Sequence, residues 1–126
     1  MKHFFTIALS IFFLSSFTVN VGIDEVITAI KSGNAEQVAV YFDNNVEISM
    51  PDKSNSYSKS QAEIVLKDFF SSNPVKGFEV IHKGQNAGSQ YCIGSLLTKN
   101  GSYRTTIFMK QKGDNQVLQE LRFEKK

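Results

Sequence analysis

The feature that most constrains the fold of this chain is one amphipathic stretch at its middle, residues 57–74. Ser58 followed by Gln61 forms a capping box, which satisfies two backbone donors at the start of a helix. Apolar residues then recur at helical spacing on one face: Ala62, Val65, Leu66, Phe69 and Phe70. Pro74 ends the helix because the residue before a proline avoids helical dihedral angles. A helix with such a face needs a cover, which the rest of the chain must supply.

Two shorter helices are predicted upstream of this central helix. Residues 23–31 have an apolar face, and Gly33 suits the left-handed position after a helix. Asn34 then begins a second short helix, with Gln37 at the matching capping-box position. Together these segments predict an N-terminal helical hairpin. Residues 46–50 alternate apolar and polar side chains, which predicts a half-buried strand.

The sequence after the central helix has a period of two, which is typical of strands. Four strands joined by hairpins are predicted, over residues 77–83, 90–99, 102–112 and 116–124. Asn100-Gly101 is the strongest hairpin signal, a two-residue turn that pairs Leu97 with Arg104. The registers place one mostly apolar set on the face that covers the central helix: Phe78, Val80, His82, Tyr91, Ile93, Leu97, Arg104, Phe108, Leu121 and Phe123. A one-residue slip in any hairpin would exchange the two faces.

The start of the chain, residues 1–22, is predicted to be a secretory signal peptide, because a short basic start precedes an apolar run. Residues 23–126 are then predicted to be a single α+β domain, exported to the periplasm or outside the cell, without a stable membrane anchor after cleavage. The alternative is an uncleaved anchor helix over residues 4–21, which is close to spanning length. The serines and threonines in this run disfavour the anchor.

Charge and cysteine content exclude several classes of function. The formal net charge is +2, too small for the basic surface of a nucleic-acid-binding protein, so no nucleic acid partner is predicted. The single cysteine, Cys92, is either a buried small apolar residue or a lone thiol. The sequence has no Cys/His cluster and no glycine-rich phosphate-binding motif. Neither a metal nor a cofactor is therefore predicted.

Several segments together resemble a known family: residues 29–35, 41–42, 46–48, 57–63, 66–70, 73–74, 82, 91–94, 101–104 and 119–122. They are similar to an uncharacterised family of exported bacterial proteins, domain of unknown function 4783. The order of predicted elements also resembles the nuclear-transport-factor-two-like and ketosteroid-isomerase-like superfamily. The resemblance implies a cone-shaped fold, in which a curved antiparallel sheet wraps around a long helix and leaves a pocket at the open end. It implies no activity, so no functional residues are carried over.

Three polar side chains on the predicted inner face form a candidate ligand-binding pocket: His82, Tyr91 and Arg104. His82 and Tyr91 are predicted cross-strand neighbours, and an arginine binds carboxylates and other anions through paired hydrogen bonds. The alternative is a structural rim, in which His82 and Tyr91 bond to one another and Arg104 extends into solvent.

The predicted inner face has no Asp or Glu from the four strands, whereas isomerases and dehydratases of the superfamily need a carboxylate base or a histidine–aspartate pair. No catalytic residues are predicted for this reason. The sequence favours a non-enzymatic binding or accessory domain for a small-molecule ligand. A small-molecule isomerase or hydrolase is the alternative.

The reverse face of the predicted sheet is a candidate homodimer face, through four apolar residues: Ile81, Leu96, Ile107 and Met109. On a monomer they would form an exposed apolar patch, and the resemblance implies sheet-to-sheet dimers. The alternative is that flanking Lys, Glu and Arg side chains cover them. A third functional hypothesis is thus an interaction module that uses its outer sheet face.

Overall fold

The computed structural model describes residues 22–126, which form three helices and six strands. In chain order the elements are α1 (Ile23–Lys31), α2 (Ala35–Ala39), β1 (Phe42–Met50), β2 (Lys53–Ser58), α3 (Lys59–Ser72), β3 (Val75–Asn86), β4 (Ser89–Thr98), β5 (Gly101–Lys112) and β6 (Asn115–Lys125). The predicted signal peptide lies outside the described residues, apart from Gly22. Within the described part of the chain, no helix has the length and apolar character needed to span a membrane.

The helix starts are the ones that the capping residues predict. The Ser58 hydroxyl accepts a hydrogen bond from the backbone N–H of Gln61 at 3.4 Å, at the beginning of α3. The Asn34 side chain accepts one from the backbone N–H of Gln37 at 3.1 Å, at the beginning of α2. Gly33 has a φ of 67°, the left-handed conformation that glycine adopts without strain. Both α2 and α3 thus begin directly after the capping residue that the sequence indicates.

The six strands form one sheet in the order β2-β1-β6-β5-β4-β3. The prediction of a purely antiparallel sheet is wrong, because β1 pairs with β6 in parallel. These are the first and last strands along the chain but neighbours inside the sheet, and no local turn joins them, so no turn signal reports their pairing. Bulges interrupt the register of β1, β3 and the β5–β6 pair. Such bulges bend and twist a sheet, and this mixed sheet is curved.

The assignment of the two faces of β4 and β5 is wrong. The β4–β5 turn consists of Lys99 and Asn100, so Leu97 lies opposite Ser102 instead of Arg104. Side chains two residues apart on a strand share a face. This two-residue shift therefore does not change which residues of β4 lie on the same face as which residues of β5. The exchange of faces comes from the two outer hairpins. A two-residue Asp114-Asn115 turn predicts that Leu121 pairs with Phe108 and Phe123 with Thr106, whereas Leu121 pairs with Ile107 in the structure, one residue away. Phe78 likewise pairs with Leu96 instead of the predicted Ser95. Both faces of β4 and β5 carry apolar residues, so the alternation alone does not show which one is buried.

The predicted dimer face is consequently part of the core. Leu96, Ile107 and Met109 are all 0% exposed and cannot supply a surface, whereas Ile81 is 57% exposed beside the β3 bulge. The opposite face carries Leu97, which is 45% exposed. Three residues were correctly predicted to face the core: Phe78, Leu121 and Phe123.

The apolar face of α3 packs into this core, as its spacing predicts. Ala62, Leu66 and Phe70 are buried, and Val65 and Phe69 are half-buried against the same cluster. The ring of Phe69 stacks on Phe123 of β6, with 4.4 Å between ring centroids. Helix α3 is thereby held against the middle of the sheet, with the side of Val65 and Phe69 at the edge of the core.

Candidate functional site

A cavity of about 500 Å³ opens where α3, the β1–β2 turn and the ends of β5 and β6 meet. We call it the mouth cavity. Its lining residues are Met50, Pro51, Asp52, Lys53, Val65, Asp68, Phe69, Ser72, Asn73, Tyr103 and Lys125. Val65 and Phe69 are four residues apart on α3, which places both side chains on the same side of the helix.

The wall of the mouth cavity is aromatic and held in place by packing. Phe69 stacks on the buried ring of Phe123 and meets the edge of Tyr103, with 5.2 Å between the centroids of Phe69 and Tyr103 and an interplanar angle of 74°. Tyr103 is 5% exposed and Phe123 is 0% exposed. Because both partner rings are packed in the core, they hold Phe69 in this orientation.

A hydrogen-bond network closes one end of the mouth cavity. The hydroxyl of Tyr103 donates to Oδ1 of Asn73 at 3.0 Å. Nδ2 of Asn100 donates to the same oxygen at 3.0 Å and to the carbonyl of Ser72 at 2.6 Å. Asn100 thus satisfies a carbonyl that the end of α3 would leave without a partner. The network ties the end of α3 to the β4–β5 turn and to β5.

Lys125 adds a charge to this network. Its Nζ donates to the carbonyl of Asn100 at 3.2 Å and to the hydroxyl of Tyr103 at 3.4 Å, and it lies 4.9 Å from the centroid of the Tyr103 ring. Such a position over an aromatic face favours a cation. The ammonium group is therefore oriented at the wall of the cavity by neutral groups.

The rim of the mouth cavity carries two carboxylates as well as two ammonium groups. Asp52, Asp68 and Lys53 line it together with Lys125, and all four side chains are exposed. None of the four belongs to an ion pair within residues 22–126. The rim therefore presents charges whose partners are left to solvent or to a ligand.

The three residues of the predicted pocket lie elsewhere, on the outer face of the sheet. Nε2 of His82 is 2.7 Å from the hydroxyl oxygen of Tyr91, so the predicted pair is brought together. The register differs from the prediction, because the bulge after Val80 places Tyr91 opposite Gly84, and its ring covers the space where a Cβ of Gly84 would lie. Their predicted position on the inner face is wrong, because that face is the solvent side of β4 and β5.

Arg104 is not joined to this pair. It lies opposite Ser95 and Glu124, and its Nε is 3.9 Å from the Glu124 carboxylate. The side chain is 53% exposed. This geometry matches the structural rim, the alternative in which Arg104 extends into solvent.

Sequence reasoning missed the residues that line the mouth cavity from the sheet. Tyr103 is assigned to the reverse face by the predicted registers, and Lys125 lies beyond the last predicted strand. The apolar alternation of β6 would have located these residues with the correct register. In the structure Phe123 pairs with Thr105, whereas the predicted register pairs it with Thr106. That one-residue correction turns Tyr103 toward α3, whereas Lys125, two residues after Phe123, lies on the same face of β6 as Phe123 in either register.

Of the two alternatives for Cys92, the structure supports the buried apolar residue. The side chain is 0% exposed, and desolvation by burial raises the pKa of its thiol to about 11. A thiol with such a pKa remains protonated at neutral pH and is a poor nucleophile. In the described part of the chain no three His, Cys, Asp or Glu side chains are grouped as metal ligands.

These features define a class: a small α+β domain in which a curved mixed sheet and one capped helix enclose a cavity at the edge of the core. The model of the family described as domain of unknown function, DUF4783, matches residues 23–124. The chain therefore belongs to the DUF4783 family.

Solved structures of the family are similar along most of their length. A DUF4783 protein from Bacteroides uniformis ATCC 8492 is 31% identical, with a TM-score of 0.81 over 84% of this chain and 98% of that one. Another, from Bacteroides fragilis YCH46, is 32% identical, with a TM-score of 0.79 over 85% and 100% of the two chains.

A likeness in fold alone extends to a de novo designed protein with a curved β-sheet. It is 11% identical, with a TM-score of 0.67 over 81% of this chain and 94% of the designed one. No curated protein matches the chain.

Proposed function

We propose that this protein is a non-enzymatic binding domain that holds a small-molecule ligand in the mouth cavity. The observation that carries the proposal is the cavity itself, about 500 Å³ beside a fixed aromatic wall. Pockets for small molecules usually enclose roughly 300–1,000 Å³ and combine apolar walls with a few polar groups. Here Phe69 and Val65 supply the apolar wall, and Asn73 and Lys125 supply polar groups.

The wall needs little rearrangement to accept a ligand. Phe69 is held by Phe123 and Tyr103, and Tyr103 is held by its hydrogen bond to Asn73. Groups that are ordered in the free protein lose less conformational entropy on binding, which leaves more of the contact energy for affinity. The site is thus organised for binding in the absence of a ligand.

The position of the ionisable groups favours binding over catalysis. An isomerase of the superfamily needs its base in the apolar part of the pocket. The carboxylates of the mouth cavity, Asp52 and Asp68, are exposed at its rim, and His82 is on the opposite face of the sheet. The enzyme hypothesis therefore has no residue in the required position among residues 22–126.

We infer a nuclear-transport-factor-two-like protein with a cone-shaped fold, exported through residues 1–22. The order of helices and strands and the curved sheet support the superfamily. The short basic start and the apolar run that follows it support export.

The test compares two substitutions at adjacent positions. Val65→Trp fills the mouth cavity, whereas Ile64→Trp places the same ring on the solvent side of α3, where Ile64 is 60% exposed and does not line the cavity. Native mass spectrometry is performed on each protein after gentle purification from its host. An added mass on the wild type and Ile64→Trp but not on Val65→Trp is expected. An adduct that survives Val65→Trp contradicts the assignment of the site.

A second candidate function is self-association through the outer sheet face. Its apolar side chains, which replace the predicted dimer face, are Tyr91, Ile93, Leu97 and Phe108. Leu97 is 45% exposed on this face. Leu97→Glu should convert a homodimer to a monomer in light scattering, whereas Lys59→Glu, a new acid at an exposed lysine of α3 on the other side of the sheet, should not. A wild type that is monomeric at high concentration argues against this function.

A further inference from the structure

We propose that the ligand of the mouth cavity is an organic anion, a flat apolar body with one carboxylate or sulfonate group that Lys125 binds. This inference rests on the proposed binding function and names its ligand class. Lys125 supplies the charge, and the wall formed by Phe69 and Tyr103 supplies the surface for the apolar body.

The donor geometry of Lys125 leaves room for an anion. An ammonium group has three N–H donors. Two of them are directed to neutral acceptors, the Asn100 carbonyl at 3.2 Å and the Tyr103 hydroxyl at 3.4 Å. No carboxylate within residues 22–126 lies within ion-pair distance of its Nζ. Lys125 is thus held at the cavity wall with one donor and its full charge available.

The other charges near the mouth cavity also favour an anion. Lys53 lines it from the start of β2, and the two aspartates of the rim, Asp52 and Asp68, offset Lys53 and Lys125. Lys76 and Lys99 then add positive charge at the same end of the sheet, where the start of β3 pairs with the end of β4. Neither belongs to an ion pair in the described part of the chain. A local excess of one sign concentrates ligands of the opposite sign.

A cationic ligand fits the site less well. Aromatic faces attract cations, but the Tyr103 ring already has the Lys125 ammonium group 4.9 Å from its centroid. A second cation at that ring would meet the charge of Lys125. The carbonyl of Ser72 at the end of α3, which would also attract a cation, accepts its hydrogen bond from Asn100.

The experiment uses two probes that share one aromatic body. Anilinonaphthalene sulfonate is an anion, and phenylnaphthylamine is the same body without the sulfonate. Fluorescence titration measures the dissociation constant of each probe with the mature domain. We expect the wild type to bind the anionic probe about tenfold more tightly than the neutral one, as one charge-assisted hydrogen bond at a partly exposed site predicts.

Three lysine variants identify the group responsible. Lys125→Gln should abolish the preference for the anion and leave the affinity for the neutral probe unchanged, whereas Lys125→Arg should keep the preference. Lys110→Gln is the matched control, because Lys110 is an exposed lysine near the opposite end of β5. It should change neither affinity. If Lys125→Gln does not fold by circular dichroism, Lys53→Gln takes its place and should reduce the preference by a smaller factor.

The outcomes separate this inference from the proposed function. If both probes bind equally and Val65→Trp abolishes both, the anion inference is overturned and the cavity remains a binding site. If Val65→Trp changes neither affinity, the probes bind elsewhere and both proposals are overturned. If Lys125→Gln weakens both probes by the same factor, Lys125 shapes the cavity and does not bind the charge, which also overturns the inference.

Discussion

Replacing Asp43 with asparagine should destabilise the domain at neutral pH but not in acid. The Asp43 carboxylate accepts hydrogen bonds from Nζ of Lys112 at 2.8 Å, from the backbone N–H of Asn44 at 2.7 Å and from Nε2 of Gln119 at 3.1 Å. Asp43 belongs to the β1 bulge and Gln119 to the irregular part of the β5–β6 pair. One carboxylate therefore joins two distorted segments of the sheet.

The magnitude follows from the loss of charge in three hydrogen bonds. A hydrogen bond to a charged group contributes roughly 1.5–3 kcal/mol and a neutral one about 1 kcal/mol. The side chain of Asp43 is 13% exposed, but that of Lys112 is 57% exposed, so water screens the Lys112 bond. We therefore expect Asp43→Asn to reduce the free energy of unfolding by about 1–2 kcal/mol at pH 7.

The direction of the pKa shift of Asp43 determines how its stabilising effect changes with pH. The hydrogen bond from Lys112 is the largest cause that lowers the pKa of Asp43 below its ordinary value of 3.8. The unfolded chain therefore takes up the proton first as the pH falls. The stabilisation is complete above the unfolded pKa and is lost as the pH falls through the folded pKa. Wild type and Asp43→Asn should thus converge in the acid range below about pH 4.

The assay is urea unfolding followed by circular dichroism, from pH 7 down to the acid limit of the folded state. Asp114→Asn is the control, because Asp114 is an exposed aspartate in the β5–β6 turn with no ion pair within residues 22–126. An Asp43→Asn protein as stable as Asp114→Asn at pH 7 would refute the role of the carboxylate. A difference that persists in acid would refute its electrostatic origin.

Two further predictions concern the core. Gly94→Ala should destabilise the domain by about 2 kcal/mol or more in urea unfolding. An added Cβ would lie 2.7 Å from the backbone oxygen of Glu79 and 2.8 Å from a ring carbon of Phe78. A variant as stable as the wild type would contradict this prediction and show that β3 moves to make room. The Cys92 thiol should not react with an alkylating reagent at pH 8 until urea unfolds the protein, because burial raises its pKa to about 11. Mass spectrometry measures the modification. Rapid labelling of the folded protein would contradict the burial of Cys92.

The amino-acid sequence by itself determined the helices and their starts. Ser58 with Gln61, and Asn34 with Gln37, are capping pairs three residues apart, so the hydrogen bonds that begin each helix form between near neighbours. The glycine within the strand pattern at Gly94 likewise indicates either a bulge or a close backbone approach, and the structure shows the close approach, to the backbone oxygen of Glu79.

Only the tertiary structure decided which face of the sheet is buried and which strand lies beside β1. Both faces of β4 and β5 are apolar enough to enter a core, so the choice depends on a register that one residue reverses. The parallel β1–β6 pair joins strands from the two ends of the domain, without a turn to report it.

The candidate site depends on both of these decisions. Phe69 of α3, Tyr103 of β5 and Lys125 of β6 meet at the mouth cavity although they come from three separate segments of the chain. Each is an ordinary residue in its own segment, and no local pattern links them. Their proximity is a consequence of strand register and helix packing, which depend on contacts across the whole domain.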